Sequence, residues 1–193
     1  MPAKTKKATA KSKTGAASRR APGKAKTRGI HAAYLDPAGP AAGAVDLNRP
    51  DLRRHPPRSP HARLGGFVHL PRLIDKVRAK ASGRIGEYHY PCPFDRRFFG
   101  FTGLDPDAFL AQAKAGRSDS ELLAYVQSKG RPKRHPSEIA AWSQWMEQLT
   151  PSSTEARGFF NEVHAKNAPQ RDDIVTWFDW LELDDFVTFG GKP

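Results

Sequence analysis

A single cysteine among 193 residues excludes an internal disulfide, and no apolar run reaches the roughly 18 residues needed to span a bilayer. A reducing, cytoplasmic setting is therefore expected. Residues 1–29 contain no Leu, Ile, Val, Phe, Trp or Tyr, so they carry the positive charge of a secretory signal without its apolar core. The same absence removes the apolar face of an organelle transit helix. Several chemical signatures are missing as well. There is no Gly-x-Gly-x-x-Gly, no Gly-Lys-Ser/Thr, no Cys-x-x-Cys, no His-x-x-x-His, no serine elbow and no kinase set. Neither a cofactor nor a metal site is predicted.

Charge is abundant but uneven. The chain carries 32 basic and 20 acidic residues, a net +12. Ten of the basic residues, Lys4, Lys6, Lys7, Lys11, Lys13, Arg19, Arg20, Lys24, Lys26 and Arg28, fall in the first 30 positions, where no acid occurs. The remaining chain is close to neutral. A segment of Ala, Lys, Thr, Ser, Gly, Arg and Pro cannot bury enough apolar surface to offset the entropy of ordering, so residues 1–30 read as a disordered basic tail. Such a tail can neutralise phosphates and bind nucleic acid without sequence preference. The bland alternative is a solubilising extension. Residues 31–45 read as a Pro/Gly/Ala-rich linker, and order is expected to begin near Asp46, with Val45, Leu47 and Leu52 as possible anchors. Residues 171–193 hold six acids and two bases and could attract the tail in cis.

From Leu70 onward the apolar spacing is helical. Leu70, Leu73, Ile74, Val77 and Ala81 share one face, with Pro71 suited to a first turn and Gly83 past the end. Arg72, Asp75, Lys76 and Lys80 fall on the opposite face, where solvated i, i+3 ion pairs of Asp75 with Arg72 and Arg78 are expected. Further helices are read from Pro93, with Phe94, Phe98, Phe99 and Phe101; from Pro106, capped by Asp105; and from the capping box of Ser118 and Glu121. Another follows Pro136, through Ile139, Trp142 and Met146. A capping box of Ser152 and Glu155 then precedes Phe159, Phe160 and Val163, and a last helix is expected from Asp172 and Asp173 through Ile174, Trp177, Phe178 and Leu181. The reading is a compact all-α domain over 46–193, a bundle of about six short helices. One minor two-stranded β element is allowed, pairing Ile85–Tyr90 with Phe186–Phe189. Gly65 and Gly66 suggest a tight bend rather than a phosphate loop.

These joined motifs, RSPHARLGGFVHLPRLIDKVRAKASGRIGEYHYPCPFDRRFFGFTGLD, AGRSDSELLAYV, SEIAAWSQWME and FFNEVHAKNAPQRDDIVTWFDWLELDD, resemble the bacterial domain of unknown function 5069 family over about residues 46–193. The resemblance implies a single domain and supplies no mechanism. It departs at Pro91, where the family favours a polar residue. The basic tail lies outside it.

Candidate chemistry concentrates between Arg63 and Gly103. Cys92 stands where a helix begins, with His89 or His164 as a possible base and Asp95 as its orienting partner. The alternative is an inert thiol packed among Tyr90, Phe94 and Phe98. Glu87, His89, Cys92 and His164 are zinc ligands by type, but not by spacing. Arg72, Asp75, Lys76, Glu87, Tyr90 and Arg96 are candidate ligand-binding residues, a basic cradle for a small anion with Tyr88 and Tyr90 to stack on it. Trp145 and Trp180 lie off their apolar stripes, where an aromatic can mark a partner surface. Two functions follow. One is a helical binding or adaptor module, for a protein or small anionic ligand, tethered to nucleic acid by the tail. The other is an enzyme of unknown class using residues 63–103 with His164.

Overall fold

The computed structural model describes residues 46–193. The tail and the linker, Val45 included, lie outside the described residues. Within them the fold is mostly helical, with seven helices and one small antiparallel sheet. The elements are β1 (Arg63–Leu64), β2 (Phe67–Val68), α1 (Leu70–Ala81), α2 (Pro93–Thr102), α3 (Pro106–Lys114), α4 (Asp119–Lys129), α5 (Pro136–Glu147), α6 (Thr154–Asn167) and α7 (Trp177–Thr188). No helix among the described residues is long and apolar enough to cross a membrane.

The sheet is not the one expected. Arg63 pairs with Val68 and Leu64 with Phe67 across the Gly65–Gly66 bend. Both glycines have positive φ, 59° and 86°, which is what a two-residue hairpin turn requires. Ile85–Tyr90 stays irregular, and residues 186–188 are the end of α7 rather than a strand. Val187 packs with Leu183, four residues earlier on the same helix, a spacing that a weak period-2 reading over four residues could not reveal.

Pro71, Pro93, Pro106 and Pro136 each occupy a first helical turn, where the missing amide is not needed. Asp105 caps α3 through the amide of Ala108, and Ser118 with Glu121 closes the capping box of α4. Two helix starts differ from the sequence reading. Ser153, not Ser152, caps α6. The last helix begins at Trp177, capped by Thr176 with Asp179 reaching back, because this pair forms a complete capping box that Asp172 and Asp173 lack.

The main core gathers Phe67, Phe98, Phe99, Phe109, Trp142 and Phe178 around the apolar face of α1. Phe101 stacks on Trp142 at 4.8 Å, and the other aromatic pairs are mostly edge-to-face. A smaller cluster of Phe160, Ala168, Ile174 and Leu183 joins α6 to α7. Leu52 anchors the arm, residues 46–62 ahead of β1, in the core, whereas Leu47, Phe159 and Trp145 are exposed. Trp145 carries the Arg97 guanidinium over its ring at 5.5 Å. Gly103 ends α2 with φ 65°, and a Cβ there would lie 1.9 Å from the Arg131 carbonyl oxygen, so only glycine lets α2 meet the 131 loop.

The largest departure concerns α1. Every residue from Leu70 to Ala79 is buried, including Arg72, Asp75, Lys76 and Arg78. Of the expected solvated face only Lys80, at the end of the helix, is exposed, and the local pairs of Asp75 with Arg72 and Arg78 do not form. Each charge instead meets a partner from a different segment. Arg72 pairs with Asp185 of α7, Asp75 with Arg58 of the arm, Lys76 with Asp95 of α2, and Arg78 with Asp119 of α4. The helix is the axis of the domain, apolar on one side and ion-paired on the other.

Candidate functional site

Two of these ion pairs border one cleft of about 180 Å³, lined by His69, Arg72, Lys76, Glu87, Tyr88, His89, Cys92, Leu181 and Asp184. Its wall is built from the start of α1, the irregular segment 84–92, the first turn of α2 and one face of α7.

Asp95 organises the deep end. Its Oδ2 accepts the backbone amide of Cys92 at 2.8 Å, the reach-back of an N-terminal cap, and the Lys76 ammonium at 2.7 Å. Its Oδ1 lies 2.9 Å from His69 Nε2. Burial alone would push this carboxyl up, but the His69 hydrogen bond and the Lys76 charge outweigh it and bring its pKa down to about 2. Asp95 is therefore a buried anion with three donors.

His69 stands immediately before α1 with φ 64°, a left-handed conformation uncommon for a non-glycine residue. Its ring stacks on Phe178 at 6.0 Å and tilts against Phe94 at 5.9 Å. Burial pushes its pKa below the usual imidazole value despite Asp95. With a carboxylate at Nε2, the neutral ring places its proton there and leaves Nδ1 as a bare acceptor. Nδ1 is buried without a hydrogen-bond partner among the described residues. Such orphans cost about 1–3 kcal/mol and are rare in cores.

Cys92 is half-buried, and its Sγ receives the Lys76 ammonium at 3.1 Å. One ring nitrogen of His69, the Cys92 sulfur and a carboxylate oxygen of Asp95 lie within 4.8 Å of one another. By type these three could hold a borderline-soft divalent metal. The Lys76 ammonium, 2.7 Å from one of these ligands and 3.1 Å from another, already supplies positive charge to the group, and a metal ion would have to displace it.

The shallow end is set by Asp185. It takes the Arg72 guanidinium in a bidentate pair at 2.6 and 3.1 Å and the Tyr88 hydroxyl at 2.7 Å. Burial, then Asp185, holds the Tyr88 phenol well above its ordinary range. Burial also raises the neighbouring Asp184 carboxyl, reinforced by the Asp185 charge. Glu87 and His89 are exposed at the rim.

Of the residues singled out in the sequence, the cleft brings together Arg72, Lys76, Glu87, His89 and Cys92, with Asp95 directly behind. Four lie elsewhere. His164 is on α6 beside the smaller cluster, its Nε2 2.6 Å from the Arg171 carbonyl oxygen and its ring against Phe160. Asp75 faces Arg58, Arg96 is exposed on α2, and Tyr90 is buried with its hydroxyl donating to the Pro106 carbonyl at 2.6 Å. The sequence reading missed His69, Tyr88 as a partner of Asp185, and the acids of α7. His69 had one available signal, its place directly before the apolar period with Pro71 in the first turn.

No curated protein matches the chain. Residues 54–187, more than half of the sequence, match the family model described as "Domain of unknown function (DUF5069)", and the chain belongs to that family.

Proposed function

We propose that the domain takes a small polar molecule into the cleft and acts on it through the Cys92 thiol. The observation that carries this reading is the convergence of Cys92 Sγ, Lys76 Nζ and His69 at the wall of one opening, with Asp95 directly behind them. The roles follow from chemistry. A neutral imidazole held by a carboxylate accepts the thiol proton, and the sulfur forms a bond to an electrophilic carbon as the leaving group departs with its electron pair. Asp95 fixes the ring tautomer, and the Lys76 charge sits beside the sulfur that becomes anionic. A cleft of about 180 Å³ falls below the about 300 Å³ at which drug-sized pockets begin, so the substrate is small. Burial of unused hydrogen-bonding capacity at His69 favours this over a purely structural network.

Alkylation tests the reading. Iodoacetamide is expected to modify Cys92 in the folded chain, and His69→Gln and Lys76→Met to slow that reaction at least tenfold while circular dichroism shows folded protein. Equal rates in all three proteins, or a rate equal to that of the unfolded chain, would remove the thiol from the mechanism. A metabolite screen by thermal shift would then name the substrate, since a true ligand stabilises by mass action and loses its effect in Cys92→Ala.

A second reading concerns the other end of the chain and rests on its charge distribution. Ten cations and no acid in the first 30 residues favour sequence-independent contact with nucleic acid, tethering the helical module to it. Replacing the ten cations by glutamine in the full chain is expected to abolish a gel shift with duplex DNA and flatten its salt dependence. Undiminished binding would assign the contact elsewhere.

A further inference from the structure

A second pocket, about 380 Å³, shares no lining residue with the cleft at Cys92. Its floor is the buried Phe67, Val126 and Ile139, contributed by β2, α4 and α5, with Ala140 at its exposed edge. Its rim is cationic, with Arg63, Lys133 and Arg134 around the mouth. The volume falls within the roughly 300–1,000 Å³ of small-molecule sites.

The rim cations differ in what holds them. Arg63 pairs with Glu147 at 2.8 Å. Arg134 lies over the Phe101 ring at 4.4 Å, donates to the Phe101 carbonyl, and reaches Glu138 only at 3.3 Å. Lys133 has no carboxylate partner among the described residues. Its ammonium donates to the carbonyls of Gln127 and Ser128, the exposed end of α4, and Arg131 donates to the carbonyls of Ser128 and Gly130. Loss of hydration and then the charges of Arg131 and Lys129 push the Lys133 pKa down. Arg63 and Arg134 thus each have a carboxylate in reach, and Lys133, crowded by Arg131 and Lys129, is the rim cation without one among the described residues; an anionic head group at the mouth of the recess would supply it.

We propose that this pocket binds a small amphipathic carboxylate, its apolar body against Phe67, Val126 and Ile139 and its head group at Lys133 and Arg63. A phosphate backbone would need the cations but not the recess, since non-specific nucleic-acid contact is electrostatic and surface-borne. A purely apolar ligand would need the recess but not the rim. Both features together select a molecule with both parts.

Decanoate and decanol, titrated into the full chain and followed by the chemical shifts of the pocket residues, separate these possibilities. Decanoate is expected to bind about tenfold more tightly than decanol, and Lys133→Gln to weaken decanoate about fivefold without affecting decanol. Ala140→Trp, an exposed position on α5 that fills the recess, is expected to abolish binding of both while leaving alkylation of Cys92 unchanged. Equal affinity for the alcohol and the acid would overturn the cationic rim as the selector. Decanoate binding that survives Ala140→Trp would overturn the pocket itself.

Discussion

Asp95→Ala is expected to lower the unfolding free energy by about 3–5 kcal/mol, a large part of the roughly 5–15 kcal/mol available to a domain. The effect is large because three donors converge on one carboxylate. Removing it leaves the Lys76 ammonium buried and unpaired, deprives His69 Nε2 of its partner and uncaps α2 at Cys92. Urea unfolding followed by circular dichroism measures the change, and a loss below about 0.5 kcal/mol would mean that Asp95 behaves as a surface residue. The pH dependence has a defined sign. With a native pKa near 2 and an unfolded value near 3.9, the unfolded chain binds more protons in this window. The stabilisation from Asp95 is complete above about pH 4 and is lost as pH falls towards about 2. The gap between the wild-type chain and Asp95→Asn should therefore narrow over that range.

Asp185→Ala is expected to be nearly as costly, again about 3–5 kcal/mol. It strands the Arg72 guanidinium, which is 2% exposed, and leaves the Tyr88 hydroxyl without its acceptor. The informative comparison is the double variant Arg72→Met/Asp185→Leu. Replacing a buried pair by apolar groups of similar volume is often neutral, so most of the lost stability should return, less the cost of the Tyr88 hydroxyl. If the double variant is no better than Asp185→Ala, the damage lies in packing of α7 and not in the unpaired charge. The exposed pair of Arg171 and Asp173 provides the contrast, and Asp173→Ala should leave the urea midpoint unchanged.

Much of the architecture was legible because it rests on local rules. Leu70, Leu73, Ile74 and Val77 announce α1 by spacing, and Ser118 with Glu121 announces α4 by its cap. The polar side of α1 was not legible. Arg72, Asp75, Lys76 and Arg78 have the spacing of a solvated face, and nothing within a helix distinguishes a hydrated charge from one whose partner is a hundred residues away. Asp185 is 113 positions from Arg72, and Asp119 is 41 from Arg78. The candidate site divides in the same manner. Cys92 and Asp95 are three residues apart and were found together, as was the nearby His89. His69, brought in by a left-handed turn, and Asp184, brought in by α7, depend on tertiary packing. His164 matched by residue type alone and lies on α6, against Phe160.

The pairing of Arg72 with Asp185 also bears on how the chain is made. Synthesis delivers α1 more than a hundred residues before the counter-charge on α7. Until α7 has emerged and docked, burying Arg72 would mean burying an uncompensated charge, and the guanidinium must stay hydrated. The ribosome can release α1 to α5 early, yet the last step of closure has to wait for α7, so the domain acquires its native state after translation of that helix and not progressively along the chain.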